Sequence, residues 1–273
     1  MTLYLWFPVG VLIGAFGTLI GAGGGFILTP LLLLVYPHDN PEIITSISLA
    51  VVFFNAFSGS AAYARMQRID FRSGVLFALA TIPGAVIGAL TTTYMPRRAF
   101  DLVFGLCMLL AALFLLLRRE TPPQPAPQPP SSSHRVVRSV IEADGTHHTF
   151  SYDRRVGIGL SLAVGYFSSL LGIGGGIIHV PAMAHVLHFP MHIATATSHF
   201  TLAVMALTGT LVHIVTGAFH HGVRRTIALS LGVLIGAQLG ARFSHYVQAQ
   251  WILRSLAVAL GLVGIRILVL AFA

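Results

Sequence analysis

Residues 19–30 read LIGAGGGFILTP and residues 170–181 read LLGIGGGIIHVP, each inside a long apolar stretch, 3–36 and 156–188 respectively. A glycine costs about 1 kcal/mol relative to alanine in a helix interior, so four glycines in five positions cost about 4 kcal/mol and the helix is expected to break. Inside lipid, the freed backbone N–H and C=O groups must be satisfied by protein, water or a ligand. Gly23–Gly25 lead into Phe26–Tyr36, and Gly174–Gly176 lead into Ile177–Leu187. Each run is therefore expected to present free N–H groups at the N-terminus of a half-helix. Such an end carries about half a positive charge and attracts anions.

Composition places the whole chain in a bilayer. Of 273 residues, 55% are apolar and 9% charged, against roughly 25% charged in a soluble domain. The mean hydropathy is +0.83. All 16 basic residues are arginine, which excludes a P-loop lysine and a Schiff-base lysine. The single cysteine, Cys107, allows no internal disulfide and no cysteine metal cluster. The net charge of +8 reads as loop arginines that orient a membrane chain, with no nucleic acid as partner.

Apolar stretches long enough to span a bilayer, about 20 helical residues, run at 3–36, 43–64, 74–94 and 99–117, and again at 156–188, 193–215, 226–246 and 250–272. The landmarks repeat in order. Gly21-Ala22-Gly23-Gly24-Gly25 with Pro30 matches Gly172-Ile173-Gly174-Gly175-Gly176 with Pro181, Thr45 and Ser48 match Thr195 and Ser198, and Gly84/Gly88 match Gly236/Gly240. The expected fold is an all-α integral membrane protein of two homologous four-helix repeats, about eight transmembrane helices, with a glycine-broken first helix in each repeat. Three regions follow: a first transmembrane repeat at 1–118, a cytoplasmic Pro-rich linker at 119–154, and a second repeat at 155–273. The linker opens on TPPQPAPQPPSSS, too rich in proline and serine to pack. It continues as alternating apolar and polar residues around Asp144-Gly145, the signature of a solvent-exposed β-hairpin with a two-residue turn.

If each stretch crosses once and the N-terminus is cytoplasmic, Arg65, Arg68, Arg72, Arg118, Arg119, Arg135, Arg138, Arg154, Arg155, Arg224 and Arg225 lie inside, and only Arg97 and Arg98 clearly outside. Both termini are then cytoplasmic and the repeats parallel. If the glycine-broken segments instead cross fully, the repeats become inverted.

The remaining polar residues suggest the cargo. The eight acids fall in loops, the linker or at segment ends, Glu42 among them. Cation carriers usually place a carboxylate in mid-membrane, so the balance favours an anion. The intramembrane ionisable residues are His179, His199 and His213, with Arg242, Arg254 and Arg266 nearer the ends. His179 and His199 are candidates for proton coupling, because imidazole titrates near neutral pH, or are buried histidines with satisfied partners. Thr45 to Ser48 and Ala196 to His199 each open a helix, where hydroxyls cap it or donate to an oxyanion. Asn55, in an apolar run, reads as an interhelical hydrogen bond, and Gly84/Gly88 with Gly236/Gly240 as helix packing.

Gly-x-Gly-Gly-Gly-(x)4-Pro, a Thr-Ser pair on the next helix and Gly-Ala-(x)2-Gly-Ala, all present twice, resemble the sulfite exporter TauE/SafE family, also called the toluenesulfonate uptake permease family. The resemblance implies an inner-membrane carrier of sulfite, sulfonates or related organosulfur or carboxylate anions. It assigns Gly21, Gly23, Gly24, Gly25, Gly172, Gly174, Gly175, Gly176, Thr197 and Ser198 to the substrate. In the first half Ser46-Ile47-Ser48 stands where Ala-Thr-Ser appears in the second, so only Ser48 carries over and the site is asymmetric.

The expected protein is a secondary anion transporter working by alternating access, not an enzyme, with no cofactor and no resident metal. Its partners are a small anionic substrate and the lipid bilayer; oligomeric state, direction and coupling ion are not legible. Two alternatives differ in class. A transition-metal carrier would use His185, His188 and His192 at i, i+3 and i+7. A membrane-embedded enzyme or assembly factor would need a nucleophile–base pair. Ser198-His199 are adjacent, where helical side chains diverge.

Overall fold

A computed structural model describes residues 3–117, 134–218, 222–244 and 249–272. Ten helices and one hairpin appear among them, in the order α1 (Leu3–Ile20), α2 (Gly25–Val35), α3 (Pro41–Arg65), α4 (Phe71–Tyr94), α5 (Arg97–Leu117), β1 (Arg135–Ile141), β2 (His147–Asp153), α6 (Arg154–Leu171), α7 (Gly176–His185), α8 (Met191–Val215), α9 (Val223–Phe243) and α10 (Ala249–Phe272). The expected eight apolar stretches are all helical, and the first of each half divides at its glycines into a long and a short helix. By length and composition α3, α4, α8 and α9 can each cross a membrane. The expected unpacked Pro/Ser stretch, 121–133, lies outside the described residues.

Polarity is arranged as a bilayer requires. Large apolar side chains such as Phe57, Leu79, Leu162, Leu211 and Leu262 cover the outside, while Thr18, Ser48, Asn55, Ser168, Ser198 and His199 are completely buried. In lipid the interior is where polar groups find partners. Of α3, α4, α8 and α9, helix α3 is the most enclosed, with residues 44–52 all buried.

Small residues set the helix pairing. A methyl on Gly232 would collide with the Phe7 carbonyl, one on Gly236 with the Val11 carbonyl and one on Gly240 with the Ala15 carbonyl. Helices α1 and α9 therefore run parallel in backbone contact. Helices α4 and α6 do the same, through Gly84 against Leu162 and Gly88 against Tyr166. The spaced glycines thus serve close packing, as expected. Each half lends its first helix to the fourth helix of the other.

Directions follow from these pairings. Helix α2 does not continue the path of α1. Gly24 turns back against Ile13 and Gly17, and at the far end Tyr36 stacks on Trp6 with ring centroids 6.1 Å apart. The first stretch is thus a helical hairpin that returns to its starting face. Helices α3, α4 and α5 then make three crossings and deliver the chain to the opposite face, where the β-hairpin sits. The second half starts there and runs the same course upside down. Helix α10 returns to the first face, where Arg98 lies 5.9 Å from the Phe272 ring.

The halves are therefore inverted, a common architecture of transporters, and the parallel arrangement is corrected. The physical cause is the glycine turn, which makes the number of crossings per half odd. Both chain ends share one face, here the terminal face, and the hairpin occupies the other. Arg224 and Arg225, at the start of α9, accordingly lie opposite the hairpin, not beside it.

The hairpin also departs from expectation. Its strands pair from Arg135↔Asp153 to Ile141↔His147, leaving a five-residue loop closed by Glu142 N–H to the Thr146 carbonyl at 3.0 Å. It is docked, not free in solvent. Phe150 and Tyr152 are buried against Phe77, Met183, Leu187 and Phe189, because alternate positions of β2 put both aromatics on one face.

Candidate functional site

The two glycine runs cross at the centre of the molecule. A methyl on Gly25 would lie 2.7 Å from the Gly172 carbonyl oxygen and from the Ile173 carbonyl carbon. One on Gly176 would lie 2.5 Å from the Ala22 Cα. Gly21, Gly23 and Gly24 have φ of 78°, 75° and 79°, and their counterparts Gly172, Gly174 and Gly175 have 66°, 80° and 58°. That left-handed backbone strains any L side chain, so the repeated run encodes a repeated turn. Val52 of α3 and Leu202 of α8 close over the crossing.

Two half-helices begin at the crossing and leave it in opposite directions. Helix α2 runs toward the terminal face and α7 toward the hairpin face. Their N-caps are glycines, Gly24 and Gly175, which have no side chain to cap the first N–H groups. Both positive helix ends thus point at one place inside the protein, where low dielectric strengthens their field.

The expected hydroxyls divide. Ser48 donates to the Gly172 carbonyl at 2.6 Å, and Thr29 reaches the same oxygen at 2.7 Å. Ser198 lies 3.3 Å from Nδ1 of His179, whose Nε2 is 3.3 Å from the Ser161 hydroxyl. Thr197 points elsewhere, accepting from the Asp70 N–H at 3.0 Å beneath the hairpin. None of them caps a helix. Helices α3 and α8 start at Pro41 and Met191 and have Asn40 and Pro190 as N-caps, so these hydroxyls lie at least one turn inside.

On one side of the crossing Nε2 of His199 lies 3.3 Å from the Thr18 hydroxyl, which donates to Oδ1 of Asn55 at 3.0 Å. Asn55 thus joins α3 to α1 as expected. Gly59 makes room for this imidazole, since a methyl there would lie 2.5 Å from Nε2. The repeat places Leu49 opposite His199 and Met205 opposite Asn55, so imidazole and amide stand on one side of the pseudo-axis only, and the other keeps the hydroxyls of Ser168 and Ser169. Asn55 Nδ2, His199 Nδ1, Ser168 Oγ and Ser169 Oγ are buried without a hydrogen-bond partner among the described residues. Ser168 faces Gly175. Buried polar atoms in that condition are costly and ask for a ligand or water.

Two clusters at the faces escaped the sequence reading. On the hairpin face Arg68 Nε lies 2.6 Å from Glu142, both nearly fully buried, while His148 meets the same carboxylate at 2.8 Å. Arg138 approaches Asp70 at 3.7 Å, and the Tyr152 hydroxyl meets Ser73 at 2.7 Å. On the terminal face Arg225 pairs with Asp39 at 2.8 Å and Arg97 with Asp101 at 2.8 Å. There Glu42 accepts from Thr93 at 2.8 Å and lies 4.0 Å from the ring of His213. Apart from Arg97–Asp101, an i,i+4 pair within α5, and His148–Glu142 within the hairpin, these partners are far apart in sequence and carry no spacing signal.

His185, His188 and His192 do not share a helix face, because α7 ends at His185 and His188 has φ of 59°. No group of three His, Cys, Asp or Glu side chains that could hold a metal occurs among the described residues. Arg266 is exposed, and the side chain of Arg254 lies outside the described ones.

A family model described as sulfite exporter TauE/SafE matches residues 6–267. A "probable membrane transporter protein YunE" of Bacillus subtilis is 30% identical over 275 residues, covering 98% of each chain. A "probable membrane transporter protein" of Xylella fastidiosa strain Temecula1 is 30% identical, covering 85% of this chain and 80% of that one. Another, from Methanocaldococcus jannaschii, is 20% identical over 95% of this chain and 93% of its own. No solved structure matches.

Proposed function

The chain belongs to the sulfite exporter TauE/SafE family of membrane transporters, and on that premise we propose that it carries small anions, sulfite or organic sulfonates, by alternating access across the inner membrane. The observation that carries this reading is the convergence of the α2 and α7 N-termini on the crossing of the two glycine runs. One helix end offers up to about 2 kcal/mol to an anion in a partly buried geometry. Two ends, with the orphaned donors of Asn55, Ser168 and Ser169, form a site that binds modestly and releases. The substrate residues in this reading are Gly21, Gly23–Gly25, Gly172 and Gly174–Gly176 for the backbone cradle, with Ser48 and Ser198 on its walls. Thr197 acts through the Asp70 turn.

Inverted halves suit alternating access, since exchanging their two conformations exchanges which face is open. The hairpin face is the cytoplasmic one in this reading, because Arg65, Arg68, Arg72, Arg135, Arg138, Arg154 and Arg155 lie on it. That places both chain ends on the outer side.

The test is exchange of radiolabelled sulfite and sulfoacetate in proteoliposomes. Replacing Asn55, Ser168 and Ser198 together by alanine raises KM at least about tenfold if they bind the anion, each charged hydrogen bond contributing about 1.5–3 kcal/mol. Undiminished exchange in the triple variant would sink the assignment of the site, and no exchange of either anion by the wild type would sink the substrate class.

A further inference from the structure

Glu42 and His213 come from opposite halves. Glu42 sits in the first turn of α3 and His213 near the end of α8, 171 residues apart. The imidazole is completely buried, and the carboxylate is 22% exposed toward the terminal face. Thr93 and Thr216 donate to Oε1 of Glu42 at 2.8 and 3.1 Å. The same oxygen lies 4.0 Å from Nδ1 of His213, a nitrogen with no hydrogen bond among the described residues. On the other edge of the ring, Nε2 lies 3.5 Å from the Thr45 hydroxyl. Thr45 in turn packs on the second glycine run, since a methyl on Gly172 would lie 3.0–3.2 Å from its Cα, Cγ2 and Cβ. A line of contacts thus runs from the terminal face through Glu42, His213 and Thr45 to the crossing.

We propose that Glu42 and His213 form a proton-binding site, and that occupancy of this site is coupled to the anion at the glycine crossing; the coupling rests on the transport reading above. The neighbouring charges leave Glu42 to this role. Arg225 of α9 is held by Asp39, and Arg97 of α5 by Asp101 and the Asp39 carbonyl. From α4 and the end of α8 Glu42 meets the hydroxyls of Thr93 and Thr216, and His213 faces Glu42 and Thr45 of α3. His179 and His199, by contrast, have no carboxylate among the contacts given for them, which are hydroxyls, backbone groups and aromatic rings. With one proton the pair is neutral overall, either as carboxylate and imidazolium or as carboxylic acid and imidazole. Without it the pair carries one negative charge. An anion at the crossing repels that charge, so anion binding favours protonation and protonation favours anion binding by the same factor. The proton enters from water at the terminal face and, with the halves in the opposite arrangement, leaves to water at the hairpin face; no other reactant is needed. Because α3 and α8 belong to different halves, a relative movement of the halves opens or closes the pair.

The full chain in proteoliposomes provides the test, with sulfoacetate as probe because its charge is constant across the pH range used. Two rates are compared: exchange at equal pH, and accumulation driven by a pH gradient. Glu42→Gln, which stays neutral as the protonated pair does, should keep exchange within about twofold, and both Glu42→Gln and His213→Asn should lose gradient-driven accumulation at least tenfold. Accumulation at the wild-type level in either variant overturns the proposal. Wild-type exchange without any response to the gradient overturns it too, while leaving the transport reading intact. Absence of exchange in the wild type removes the transport reading instead. A second readout needs no transport: the NMR titration of the His213 imidazole in labelled protein moves on Glu42→Gln. Superimposable curves would refute the pair, and this measurement decides the matter if both variants lose exchange.

Discussion

Glu142, in the loop of the β-hairpin, places Oε2 2.6 Å from Nε of Arg68 in the α3–α4 turn, and neither side chain is more than 6% exposed. The hairpin is thereby fastened to the first half, while Phe150 and Tyr152 seat it on Phe189 of the second, at ring distances of 4.3 and 5.2 Å. A segment outside the bilayer thus ties the two halves together on one face.

Breaking one partner of this buried pair strands the other. Glu142→Ala is expected to cost about 3–5 kcal/mol, whereas the double change Arg68→Met with Glu142→Leu recovers much of it. Thermal unfolding in detergent measures both, and equal losses in the single and double variants would contradict the buried-charge argument.

Glycines on one helix should differ sharply by what they touch. In α6 nothing lies within 4 Å of a methyl on Gly159, while one on Gly165 would collide with the Thr81 carbonyl of α4. Gly159→Ala is expected to be neutral or stabilising by up to about 1 kcal/mol, and Gly165→Ala to cost about 1–3 kcal/mol. Unfolding curves of the two variants check the α4–α6 contact directly.

Acid should loosen the hairpin loop. The Thr146 N–H donates to Asp144 at 2.9 Å, and this bond, with the Thr146 hydroxyl, holds the Asp144 carboxyl below the usual carboxylate range. A lowered native pKa adds stability at neutral pH and loses it as pH falls through about 4 and below. Amide exchange at Thr146 should be faster in Asp144→Ala than in wild type at pH 7, and the two should converge in acid. A constant difference across the range would exclude this linkage.

The inverted topology predicts opposite labelling. In a Cys107→Ala background, cysteines at His147 in the hairpin and at Tyr94, 84% exposed at the end of α4, should react with a membrane-impermeant maleimide from opposite sides of sealed vesicles. Reaction of both from one side would rule out the arrangement of helices described here.

Much of this was legible in the primary structure. Helix positions followed from apolar length, and the breaks at Gly21–Gly25 and Gly172–Gly176 from the cost of clustered glycines. The repeat was readable because both halves need the same left-handed turn. Pairing of α4 with α6 and α1 with α9 was visible as spaced glycines, though not which helix each would meet. The docked hairpin announced itself only faintly, in the alternation of Phe150 and Tyr152. Thr45 and Ser48 on α3, like Thr197 and Ser198 on α8, lie a turn or more inside their helices, because α3 and α8 start at Pro41 and Met191, ahead of the apolar runs.

The chain's composition and its twin glycine runs alone determined an all-helical membrane protein with two related halves and a break in each. Whether the halves run parallel or opposed was a tertiary matter, since a glycine turn permits the chain either to continue across or to fold back, and only packing of Gly24 on Ile13 and Gly17 selects the return. The same holds for Glu42 with His213 and for Arg68 with Glu142. Electrostatic partners in a membrane interior are chosen by which helices meet, and the residues that meet here are separated by 171 and 74 positions.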